Sequence, residues 1–136
     1  MSKQKMDKEQ RQEILLTAIY LFYQYSRKEE VSRSELVDCL TEFQKGFPTL
    51  GYEFPEKNPY LCHQLSEDLN DLWFNKGYLR HYQYGLPLPK NFVALWPLGK
   101  GHGKKIIETL SLEISENLNR SVKNVIKKQK KDKTPI

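Results

Sequence analysis

Apolar and polar residues along this chain repeat with two different periods. Ile14, Leu15, Ala18, Ile19, Phe22 and Tyr25 recur at helical spacing, and Leu16, Leu21 and Tyr23 widen the apolar face. This first helix is therefore expected to be contacted on more than one side. Asp7-Lys8-Glu9-Gln10 has the outline of a capping box at its start. Ser32-Arg33-Ser34-Glu35 is a cleaner capping box, and Leu36, Cys39, Leu40 and Phe43 form the buried stripe of a second helix that Gly46 ends. Asn58-Pro59 signals a third start, because Asn caps and Pro suits the first helical position. Leu61, Leu65, Leu69 and Leu72 with Trp73 follow at helical spacing, and Lys76-Gly77 is a stop.

The period then drops to two. Residues 78–84 and 91–96 predict a β-hairpin, with Leu79, His81 and Gln83 on one face and Tyr78, Arg80, Tyr82 and Tyr84 on the other. Gly85-Leu86-Pro87-Leu88-Pro89 separates the strands, since Pro lacks the amide donor that a ladder needs. Residues 46–57 connect the second and third helices. Phe47, Leu50, Tyr52 and Phe54 predict that this connector packs down, with room for a short strand or helical turn. A last helix is expected over 104–128, carrying the stripe Ile107, Leu110, Ile114, Leu118, Val122 and Val125. The glycines and lysines of residues 97–105 read as its flexible entry. A phosphate-binding loop is rejected, because Lys105 stands where Ser or Thr is required.

The net charge of +5 is unevenly placed. From Lys100 onward ten Lys/Arg face four acids, whereas the first 99 residues hold twelve basic and thirteen acidic groups. The excess is a basic C-terminal arm, either a phosphate-neutralising element or a solvated tail. Residues 129–136 are expected to be disordered without a partner. Cys39 and Cys62 lie on apolar helix faces and read as buried reduced thiols. His63, His81 and His102 form no metal-ligand motif, and Glu67, Asp68 and Asp71 read as the solvated face of the third helix. The sequence thus calls for no metal, no cofactor and no enzyme. No apolar core of a signal peptide and no membrane span is present, so a cytoplasmic protein is expected.

The expected fold class is mainly α with a small β component. The order is helix, capped helix, helix ending in Gly77-Tyr78-Leu79, aromatic hairpin, then Leu-x-x-Gly, Leu98 to Gly101, opening a C-terminal helix. It resembles winged helix-turn-helix transcription regulators of the MarR-like and PadR-like kinds, in which Asp-Leu-x-x-Leu precedes the glycine step. Here that motif is Asp68-Leu69-Asn70-Asp71-Leu72. The resemblance implies a winged-helix domain over 7–99, binding of double-stranded DNA by the third helix and wing, and a homodimer held by the terminal helix over 100–128. On this reading His63, Gln64 and Asn70 contact bases. Arg80, His81, Lys90, Lys100, Lys104 and Lys105 contact phosphates, and Ile107, Leu110, Ile114, Leu118, Val122 and Val125 form the dimer seam. The acidic third helix fits an alternative, a winged-helix adaptor that binds protein and no DNA.

Overall fold

The computed structural model describes residues 5–27, 30–57, 62–84, 90–95 and 97–132. Five helices surround a three-stranded antiparallel sheet: α1 (Lys8–Ser26), β1 (Glu30–Ser32), α2 (Arg33–Gly46), α3 (His63–Asn70), β2 (Leu79–Tyr84), β3 (Lys90–Leu95), α4 (Pro97–Thr109) and α5 (Leu112–Asp132). Both expected capping boxes form, Asp7 with Gln10 and Ser32 with Glu35. Helix α1 is the centre of the molecule. Every residue from Ile14 to Ile19 is buried, and α1 meets α2, α4, α5, β1 and β3.

The hairpin pairs as expected, from Leu79 opposite Leu95 to Tyr84 opposite Lys90. A third strand was not foreseen. β1 pairs with β3 through Val31 and Val93, giving the order β1-β3-β2. Three residues are too few to show an alternation, so the expected two-stranded hairpin becomes a three-stranded sheet. The loop 85–89, Trp96 and the expected helix start at 58–61 lie outside the described residues.

The connector after α2 packs down, with Leu50 and Tyr52 buried and a 3-10 turn over Pro48–Leu50. Phe47 stacks on Phe43 with ring centroids 5.0 Å apart. Cys39 and Cys62 are buried and unbridged, and burial pushes the Cys39 thiol pKa up.

The C-terminal region corrects two expectations, the single last helix and its flexible entry. The single helix over 104–128 is two helices, broken at Leu110-Ser111, where the Ser111 hydroxyl accepts from the Ile114 amide at 3.3 Å. The glycines at its entry are helical, and two of the three, Gly99 and Gly103, are close-packed. A Cβ on Gly99 would lie 2.1 Å from the Tyr78 carbonyl oxygen, and one on Gly103 would lie 3.0 Å from the Tyr20 Cβ. Helix α4 begins at Pro97, and helix α5 runs to Asp132. Helix α5 lies across α2 and α1, and Leu118, Val122 and Val125 belong to the same hydrophobic core as α1.

Candidate nucleic-acid interface

Helix α3 is fixed by its inner face. Asp68, the residue expected on the solvated face, is 0% exposed. Its carboxylate accepts from Arg11 Nε at 2.6 Å and Arg11 Nη2 at 3.2 Å. It also accepts from Gln12 Nε2 at 3.2 Å and the Tyr52 hydroxyl at 2.6 Å. Four hydrogen bonds replace the water that the carboxylate loses, and this is what makes its burial tolerable. The hydrogen bond to Asp68 raises the Arg11 pKa. Burial, then the Asp68 charge, pushes the Tyr52 hydroxyl well above its ordinary value, so it stays a donor. The Arg11 guanidinium also sits 5.4 Å from the Tyr52 ring centroid.

The network continues past the helix end. Gln12 Nε2 donates to Asp71 at 2.9 Å, and Lys76 Nζ donates to Gln12 Oε1 at 2.8 Å. Asp71 is half-buried. Its pKa is lowered first by the side-chain hydrogen bond from Asn75, then by that from Gln12. Two of the three carboxylates that make α3 acidic are thus held against α1. At the N-terminal end, Arg33 Nη2 donates to the Cys62 carbonyl at 2.9 Å and to Ser66 Oγ at 2.7 Å.

The outer face is left to solvent. His63, Glu67 and Asn70 are exposed. At about 100° per residue, positions 63, 67 and 70 fall on one stripe opposite Asp68. Asp71–Asn75 then forms a π-helical turn, in which the Lys76 amide donates to Asp71 O at 3.1 Å. Trp73, expected on the inner stripe, is 37% exposed. Phe74 extends the outer stripe and is 76% exposed, its ring edge-on to Trp73 at 5.0 Å. Gly77 ends the turn at φ +67, a conformation that favours glycine, and the chain enters β2.

The predicted base readers divide. His63 and Asn70 stand on the open stripe, but Gln64 does not. Its Oε1 accepts from the Glu53 amide at 2.8 Å and its Nε2 donates to the Gly51 carbonyl at 3.1 Å. Both ends of that amide hold the connector, so Gln64 is a structural residue here. Among the phosphate candidates, Lys104 and Lys105 are exposed on α4 and Arg80 is half-buried on β2 opposite Ala94. His81 pairs with Val93 in the ladder and Lys90 with Tyr84. Lys100 is committed elsewhere, its Nζ 4.3 Å from the Tyr23 ring centroid, and His102 stacks on Tyr78 at 4.6 Å.

The dimer seam is corrected in half of its members. Leu118, Val122 and Val125 are buried within the chain, so they present no surface to a second copy. Ile107, Leu110 and Ile114 are only partly buried, and Leu112 beside them is 74% exposed.

Phe74, four residues after Asn70, is exposed and was not singled out by the sequence pattern. No helix among the described residues is long and apolar enough to cross a membrane. No family model, curated protein or solved structure matches this chain.

Proposed function

We propose that this protein is a winged-helix DNA-binding protein, a transcription regulator whose third helix enters the major groove beside a β2–β3 wing. The observation that carries the reading is the division of α3. Asp68 and Asp71 are turned onto α1, and His63, Glu67, Asn70 and Phe74 are held out on one stripe. The element order and the strand order β1-β3-β2 support it, because they set α3 directly before the hairpin. Base contacts fall to His63 and Asn70. Arg80, His81 and Lys90 of the wing, with Lys104 and Lys105 of α4, supply the phosphate contacts. A homodimer remains part of the proposal, now seated on Ile107, Leu110, Leu112 and Ile114, and light scattering at twice the chain's mass is its check.

Salt dependence tests the reading. Binding of mixed genomic duplex fragments by the full chain should weaken steeply between low and moderate salt, with a log–log slope of about −0.9 per phosphate contact. Failure to retain any duplex at low salt would overturn it in favour of the protein-binding adaptor, for which Trp73 and Phe74 are the exposed anchors.

A further inference from the structure

We infer that the outer stripe of α3 selects A·T base pairs through the thymine methyl group, with Phe74 packing on the methyl and Asn70 pairing with the adenine edge. The inference rests on the DNA-binding reading of the same face and specifies what that face recognises.

Phe74 is the most exposed large apolar residue on the described surface, at 76%, and it extends the stripe on which Asn70 stands. In the major groove, thymine is the base that presents a methyl group, an apolar partner for such a ring. The edge-on contact with Trp73 at 5.0 Å restrains the Phe74 ring, so less freedom is lost when it docks. Asn70 offers one donor and one acceptor, the complement of adenine N6 and N7. The stripe also lacks what guanine recognition uses most. His63, Glu67, Asn70 and Phe74 include no Arg or Lys to grip O6 and N7 together.

The test is a selection of bound duplexes from a random library by the full chain, followed by replacement of thymine with uracil, which removes the methyl alone. The selected sites should be centred on A·T pairs. Uracil should weaken binding by about fourfold, the worth of one buried methyl. Phe74→Ala should bind the thymine duplex no better than the uracil one while keeping the wild-type unfolding midpoint. Asn70→Ala should relax the preference for adenine by about tenfold. Bound duplexes that are G·C-centred, or that bind equally well with thymine and uracil, would overturn the inference and leave DNA binding itself standing. A library from which no duplex is retained would overturn both.

Discussion

On α5, Leu118, Val122 and Val125 face the core while Arg120, Lys123, Lys127 and Lys128 face solvent. On α3 and the π turn that follows it, an aspartate faces the core and a phenylalanine faces solvent. Both segments are amphipathic and bury leucines, Leu65, Leu69 and Leu72 in the one and Leu118 in the other, but only the α3 segment also buries a carboxylate and leaves a phenylalanine outside. Helix α5 obeys the ordinary rule from Leu118 to Lys128, where the buried Ser121 satisfies its hydroxyl on the Asn117 carbonyl. It is pinned at its sides as well: Asn124 Nδ2 donates to Glu42 of α2 at 2.6 Å, and Lys123 lies 5.0 Å from the Tyr25 ring centroid of α1. Its lysines toward the C-terminus also complement the helix dipole. Helix α3 and its π turn depart from the rule at one residue on each face, Asp68 inside and Phe74 outside, and such departures concentrate where a surface does something other than hold the fold. The buried Asp68 is the device that lets α3 be anchored by hydrogen bonds, leaving its outer stripe unconstrained by packing.

The strongest way to break this contrast is to remove the anchor. Asp68→Ala leaves Arg11, Gln12 and the Tyr52 hydroxyl without their shared acceptor. It should destabilise the protein by about 3–5 kcal/mol, as removing one partner of a buried ion pair does. Denaturant unfolding measures it, and a loss below about 1 kcal/mol would mean that α3 is held by its leucines alone.

Leu118→Ala probes the other helix. A fully buried leucine lost from the seam of α5 with α1 and α2 should cost about 2–5 kcal/mol. A near-neutral result by the same measurement would free α5 from the core and restore Leu118, Val122 and Val125 as candidates for an intermolecular seam.

Asp71 sharpens the comparison by a smaller amount. Its folded pKa lies below the ordinary carboxylate value, with Asn75 and then Gln12 as the main causes. A depressed carboxylate pKa gives stability that is present in full above the unfolded-state value and is lost as pH falls through the folded one. Unfolding midpoints followed from neutral pH into the acid range should therefore fall less steeply in Asp71→Asn than in the wild type. Identical acid limbs would show that the Gln12–Asp71 hydrogen bond adds nothing to the anchoring of α3.

Much of the scaffold was legible from local signals. The two capping boxes, the glycine stop at Gly77 and the alternating hairpin each depend on residues close together in sequence, and each forms. What stayed hidden depends on distant partners. Asp68 stands three residues after Leu65 and four before Leu72, on the buried stripe by spacing. Its charge argued for solvent, and the partner that reverses the argument, Arg11, lies 57 residues away. β1 exists because β3 pairs with it, and three residues carry no period of their own. The break between α4 and α5 was masked because the apolar period runs unbroken through Leu110, although Ser111 is an ordinary capping residue. Trp73 follows Leu72 in the apolar run but lies at the flank of the stripe by spacing, so its neighbour's burial did not carry over to it.

The account stands on the outer stripe of α3 being a recognition surface and not a part of the fold. The double variant Asn70→Ala/Phe74→Ala separates the two roles, since both side chains are exposed. Its unfolding free energy should stay within about 0.5 kcal/mol of the wild type. Its affinity for a duplex selected by the wild-type chain, measured by fluorescence anisotropy at one fixed salt concentration, should fall at least about tenfold. Wild-type affinity in the double variant would contradict the account, because DNA would then be held without the stripe.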